Sequence, residues 1–248
     1  MSRNWSPYEV NELNKYKVPE STWKSFGEMP VEYITGHCDF HGLDIKVTKD
    51  TLIPRIESID MIKLAEDKLK GKTNSSIADV GTGSGALAIL LASRLSIKSL
   101  AMSDISPEAL EVAKENAEKL IPEVKPKIFI SDLMDSYGED KFDLIMANLP
   151  YIPSFRVKGL PLSVVDYEPH IALDGGDEGL ELIRKFLPQA KEKLKPGGTI
   201  ILEIDYAHVL EDFQDFGFDS VEVVKDEFGQ RRFVVLLGEG EADADEVD

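Results

Sequence analysis

From Ile77 onward, short apolar runs alternate with longer amphipathic stretches. Apolar runs of a few residues bounded by turn formers predict buried strands, and longer stretches with one apolar stripe predict the helices that cover them. The strands fall at residues 77–80, 99–103, 127–130, 142–147, 199–204, 220–224 and 232–237. The last two flank a short polar segment containing Gly229, which predicts a hairpin and an antiparallel edge to an otherwise parallel sheet. Helices are predicted at 86–95, at 107–120 behind Ser106-Pro107, and at 179–194, where Lys195-Pro196-Gly197-Gly198 stops the run. Ahead of this core, residues 33–40 and 43–47 flank His41-Gly42 and predict a second hairpin, with the polar stretch before Pro30 helical. The organisation expected is a small cap over residues 1–50, one α/β domain over 51–238 and a tail over 239–248.

Composition narrows the setting. Hydrophobic residues make up 42% of the chain and charged ones 30%, as in a folded soluble protein, and no apolar run approaches the ~20 residues that span a bilayer. The first sixteen residues are polar and lack the apolar core of a secretory signal, so a cytoplasmic protein without membrane contact is expected. Cys38 is alone and cannot form an internal disulfide. The net charge of −18 includes Glu239, Glu241, Asp243, Asp245, Glu246 and Asp248 of the tail, which is expected to be disordered; the body remains acidic without them. Such a surface repels a phosphate backbone, which disfavours direct nucleic-acid binding and suits a small molecule or a basic protein.

Chemistry concentrates at two strand ends. The strand at 77–80 runs into Asp79-Val80-Gly81-Thr82-Gly83-Ser84-Gly85 and then into an apolar helix. Glycines there let the chain turn sharply and let a ligand approach the main chain without meeting a Cβ. Asp104, closing the next strand, can accept from both hydroxyls of a ribose, and Asp132, after the third, can reach an adenine amino group. Gly81, Gly83 and Ala86 also satisfy a dinucleotide-binding spacing, so the loop by itself leaves that alternative open. Asp79 favours a ligand that is cationic, such as a sulfonium bearing an amino-acid moiety.

The strand at 142–147 delivers Asn148-Leu149-Pro150-Tyr151 to the carboxyl edge of the sheet. A primary amide or aromatic amine is a weak nucleophile, so a site that alkylates it must hold both N–H groups and aim the nitrogen. The Asn148 side-chain carbonyl and a main-chain carbonyl of Leu149 or Pro150 can accept those hydrogens, and Tyr151 can stack on the planar group. No metal is required.

With these residues in view, the chain resembles the HemK/PrmC family of protein-glutamine N5-methyltransferases, whose known substrates are peptide chain release factors. The resemblance runs from about Pro30 to Leu237 and is carried by Tyr33-Ile34-Thr35-Gly36, Leu52-Ile53-Pro54-Arg55-Ile56-Glu57, the Asp79 loop and Asn148 to Ile152. It continues through Glu168-Pro169, Ala172-Leu173-Asp174-Gly175-Gly176, Gly179-Leu180, Lys195 to Gly198 and Leu202-Glu203-Ile204. It implies a Rossmann-like, seven-stranded class I methyltransferase sheet with S-adenosylmethionine as cofactor, held by Asp79, Gly81, Thr82, Gly83, Gly85, Asp104, Asp132 and Asn148. It further implies glutamine binding by Asn148, Leu149, Pro150 and Tyr151, with Arg55 and Glu57 near the site, and a release factor or other basic translation protein as partner of a monomeric enzyme. Leu149 and Ile56 replace prolines usual in the family, and the amino-terminal helical region is shorter. Because related turns also occur in adenine-N6 methyltransferases, a nucleic-acid amino group is the alternative acceptor. Other protein glutamines, as in a ribosomal protein, and a cofactor-binding protein without catalysis also remain open.

The remaining candidates carry less. His37 and His41 sit in a predicted hairpin without a third metal ligand, Trp5 and Trp23 suit packing of the cap, and the Lys- and Glu-rich helix 107–119 suits a solvated face. Glu203, at the end of the fifth strand, suits either substrate binding or a stabilising hydrogen bond.

Overall fold

Helix α1 (Pro7–Lys15) begins where sequence chemistry puts it. Pro7 occupies the first turn, the Ser6 hydroxyl accepts from Glu9 N–H, and the Glu9 carboxylate accepts from Ser6 N–H. The computed structural model describes residues 3–226 and 228–240, so residues 241–248 of the expected disordered tail lie outside the described residues. After a 3-10 turn at Glu20–Ser25 comes α2 (Val31–Thr35), followed by β1 (His37–Phe40) and β2 (Leu43–Lys46), which pair antiparallel. The hairpin is thus shorter than expected: residues 33–35 form a helical turn behind Pro30, closed by Gly36 at φ 77°.

The core follows as α3 (Ile59–Lys68), β3 (Ser75–Val80), α4 (Ala86–Arg94), β4 (Ile97–Asp104), α5 (Pro107–Leu120), β5 (Lys127–Ile130) and β6 (Phe142–Ala147). Two short helices, α6 (Ser154–Val157) and α7 (Leu162–Val165), precede α8 (Glu181–Lys193), β7 (Leu194–Glu203), β8 (Ser220–Lys225) and β9 (Arg231–Leu237). All seven predicted core strands are present. β7 begins earlier than expected, because Leu194 already pairs with Phe142 before an irregularity that contains Gly198. A Cβ on Gly198 would lie 2.9 Å from the Phe142 carbonyl oxygen, so glycine permits that close approach.

The sheet order is β5-β4-β3-β6-β7-β9-β8, and β9 runs against its neighbours. The chain steps outward from β3 through β4 to β5 and then returns to the opposite side of β3 as β6. That reversal opens a crevice beyond the carboxyl ends of β3 and β6, where ligands of open α/β sheets bind. Alternation along the strands feeds two cores. Ile77, Leu144, Met146, Ile201, Phe233 and Val235 face α3, α4 and α5. Ala78, Val80, Ile145, Ala147, Ile200 and Leu202 face α8 and Phe213.

The cap hairpin joins the first core through Phe40, Ile45 and Val47, with Cys38 buried beside them. Asn116 ties it to the sheet. From α5, its side-chain oxygen accepts from Lys46 N–H at 2.8 Å, and its amide nitrogen donates to the carbonyls of Lys46 at 2.9 Å and Ser84 at 2.8 Å. Asn116 is fully buried, whereas the charged residues of α5 from Glu108 to Lys119 are exposed and form the solvated face expected. Among the described residues no helix is long and apolar enough to cross a membrane.

Candidate active site

One cavity lies in the crevice, walled by the glycine loop, the ends of β4, β5 and β6, and the segment before α3. It gathers Asp79, Gly81, Thr82, Gly83, Asp104, Asp132, Asn148, Leu149, Pro150 and Arg55. Tyr151, Glu57 and Gly85 do not line it. Gly85 serves packing instead: a Cβ there would stand 2.7 Å from the Met102 methyl and 3.1 Å from Ile89, so its absence lets α4 close onto the sheet. Glu57 is half-buried outside the cavity wall; from its segment Arg55 lines the cavity, and Ser58 lines it and bonds Glu203.

The end of the cavity at the glycine loop is acidic. Asp79 is buried, accepts from the Thr82 hydroxyl at 2.6 Å, and is pushed up to about 6 by burial and by the nearby Asp104. Asp104 accepts from Gly83 N–H at 2.8 Å and Ser106 N–H at 3.0 Å, but burial still raises its carboxyl above the ordinary range. Among the described residues no cationic side chain pairs with either acid. Two desolvated carboxylates without a countercharge form a site that a cationic ligand completes. Ile105 and Leu133 add apolar surface beside Asp104, and Asp132 stands exposed at the rim. Gly81 and Gly83 have φ of 71° and 54°, which clears Cβ atoms from the loop.

The end of the cavity at the Asn148–Tyr151 turn is built around a neutral amide. Asn148 donates through Nδ2 to Glu203 Oε2 at 3.0 Å, and among the described residues no donor reaches its Oδ1 or the Pro150 carbonyl. Glu203 also accepts from Ser58 Oγ at 2.7 Å and from the Tyr151 hydroxyl at 2.8 Å, with Arg232 Nη1 at 3.9 Å. It is 1% exposed, and burial raises its carboxyl despite those donors. Sequence reasoning leaves Glu203 undecided because its partners lie at positions 58, 148, 151 and 232. Leu149 turns inward: a Cβ on Gly81 would lie 3.2 Å from its methyl, so this leucine fills the space under the glycine loop.

The turn is braced from behind. Ile152 and Asp174 form a parallel bridge, with Ile152 N–H donating to the Leu173 carbonyl at 3.2 Å and Gly175 N–H donating to the Ile152 carbonyl at 2.9 Å. A Cβ on Gly175 would fall 2.6 Å from the Pro150 carbonyl oxygen, and one on Gly179 would overlap the carbonyl oxygen of Tyr151. Gly175 and Gly179 are thus required by contact with the Asn148–Tyr151 turn. Glu168, just upstream, accepts from Arg55 at 2.6 Å and is buried, which fixes the Arg55 side chain against the cavity.

The chain is similar to known methyltransferases. Residues 62–158 match the family described as Methyltransferase small domain. A release factor glutamine methyltransferase of Clostridium acetobutylicum is 36% identical over 239 residues, covering 91% of this chain and 84% of that protein. One from Streptococcus pneumoniae is 38% identical over 213 residues, covering 84% and 74%. Among solved structures, the hMettl16 catalytic domain in complex with an RNA hairpin aligns with a TM-score of 0.63 at 20% identity, covering 82% of this chain and 76% of that one, a likeness of fold.

Proposed function

The chain belongs to the family of release factor glutamine methyltransferases, and we propose from that membership that its cavity binds S-adenosylmethionine and directs the methyl group to a glutamine side-chain amide of a release factor. The observation that carries this reading is the pairing, across one cavity, of uncompensated Asp79 and Asp104 with an Asn148 whose carbonyl is left without a partner among the described residues. The acids suit a cation, and the carbonyl suits an N–H donor.

When bound, S-adenosylmethionine supplies a methyl group activated on a cationic sulfur. Asp79 lies where it offsets the positive charge of the ligand, and Asp104 has lone pairs left for ribose hydroxyls after accepting from Gly83 and Ser106. Asn148 Oδ1 and a main-chain carbonyl of Leu149 or Pro150 would accept the two hydrogens of the substrate amide, hold its plane and aim its nitrogen. As positive charge builds on that nitrogen, these two fixed dipoles favour it, because they are oriented before the reaction begins. Leu149 and Ile171 help keep water from the cavity. Arg55, held by Glu168, offers its remaining N–H groups to the peptide around the glutamine.

Transfer of labelled methyl from S-adenosylmethionine to a purified release factor tests the proposal, with a Gln→Ala substrate and an RNA sample in parallel. Label on the glutamine-bearing factor alone is the expected result. Label on RNA, or label that survives the Gln→Ala change, would replace the proposed acceptor.

A further inference from the structure

We infer that Glu203 is a positioning residue that sets the polarity of the acceptor site by fixing which end of the Asn148 amide faces the cavity. The inference rests on the glutamine-methylation reading for its catalytic meaning, although the geometry stands without it.

An asparagine amide can be rotated by half a turn with little change of shape, and its direction follows from the hydrogen-bond network around it. Here the network leaves one choice. Glu203 Oε2 lies 3.0 Å from Asn148 Nδ2 and also accepts from Ser58 Oγ, while Oε1 accepts from the Tyr151 hydroxyl. An ionised carboxylate only accepts, so the opposite rotamer would set Asn148 Oδ1 against Oε2, two acceptors in a buried site. It would also turn the Asn148 NH2 group toward the cavity, where it would meet the N–H groups of an incoming amide. Ionised Glu203 therefore makes Asn148 an acceptor on the cavity side. Burial raises the Glu203 carboxyl, and the donors Ser58 and Tyr151 together with the charges of Arg232 from β9 at 3.9 Å and, further off, Arg55 from the segment before α3 offset part of that rise.

The placement of Glu203 suits this task better than a purely stabilising one. Its two oxygens join Ser58, next to α3, with both ends of the Asn148–Tyr151 turn, so the main chain of the turn and its leading side chain are held from one point. Ser58 and the Tyr151 hydroxyl could bond to either a carboxylate or an amide oxygen, whereas the Asn148 amide is sensitive to which it meets.

A charge exchange between the two positions tests this. Glu203→Gln introduces an NH2 group that can donate to Asn148 Oδ1 and frees the Asn148 amide to turn; kcat should fall about 10²-fold while S-adenosylmethionine affinity stays within a factor of about two. Asn148→Asp sets two carboxylates against one another and should lose nearly all activity. In the double variant Asn148→Asp, Glu203→Gln, the introduced amide donates to one oxygen of the introduced carboxylate and leaves the other oxygen facing the cavity. Its activity should exceed that of Asn148→Asp by about tenfold or more.

A second readout needs no acceptor. In the cofactor-bound wild type, the Asn148 side-chain NH2 resonance should exchange slowly with water, and Glu203→Gln should make it fast. A Glu203→Gln enzyme with wild-type kcat, a double variant no better than Asn148→Asp, or an NH2 group already in fast exchange in the wild type would each overturn the inference. A wild type that transfers no methyl to glutamine but shows the protected NH2 group would remove the proposed acceptor and leave the positioning role in place.

Discussion

The two ends of the cavity solve opposite problems. At the proposed cofactor end, Asp79 is buried and Asp104 half-buried without a countercharge among the described residues, and the glycine loop clears space around them. At the proposed acceptor end the groups are held in place by neighbours: Glu203 holds Asn148, Tyr151 and Ser58, and the Leu173–Leu180 loop braces the turn. A charged ligand can be attracted by leaving charges unpaired. A neutral amide has no net charge to attract, so its site depends on two carbonyls fixed in direction by everything around them.

The contrast is broken most severely at the acceptor end. Asn148→Ala should lower kcat on the order of 10²–10³-fold with the Kd for S-adenosylmethionine nearly unchanged, as read by steady-state kinetics beside calorimetry. A matching loss of cofactor affinity would mean that the two ends are not separable. Gly179→Ala pushes a methyl group into the Tyr151 carbonyl at a position with φ 76°. The turn must shift, and kcat should drop about 10²-fold without any contact to substrate having been removed. Wild-type turnover in that variant would show that the brace is not needed.

At the cofactor end the effects are smaller and fall on affinity. Asp104→Ala should weaken S-adenosylmethionine binding about 10- to 100-fold, the scale of one hydrogen bond to a charged acceptor, and kcat at saturation should change little. Asp79 adds a pH signature. Its folded-state value of about 6 lies above the roughly 3.9 of an unfolded aspartate, so ionisation opposes folding. That penalty is absent below about pH 4, grows with rising pH and is complete above about 6. The proposed cationic ligand calls for the ionised form, so affinity for S-adenosylmethionine should rise several-fold from pH 5 to pH 7. Asp79→Asn should flatten that rise and, without cofactor, should stabilise the protein at about pH 7.5 by on the order of 1–3 kcal/mol, with the gain vanishing near pH 4. A thermal melt at the two pH values checks the sign.

Legibility in the sequence follows the same division. The glycine loop, Asp104 and the Asn148–Tyr151 turn each lie within a few residues of a strand end, where spacing carries geometry. Glu203 does not yield to that reading, because its meaning depends on side chains brought together from segments far apart in the chain. Asn116 is hidden in a helix of good amphipathic character, where a single buried amide resembles any other polar residue. The β-favouring side chains of residues 33–35 predict a strand, and the Pro30 start and Gly36 stop override that preference. Gly175 and Gly179 are visible as part of a distinctive block, but the carbonyls they accommodate belong to Pro150 and Tyr151, far upstream.

Asn116 has a wider consequence. One amide grips both the edge of the amino-terminal hairpin and the Ser84 carbonyl inside the glycine loop. The hairpin and the loop are thereby a single mechanical part, although Lys46 and Ser84 are well separated along the chain. Cutting the hairpin away is accordingly expected to loosen the glycine loop as well, because the two share one buried hydrogen-bonding partner.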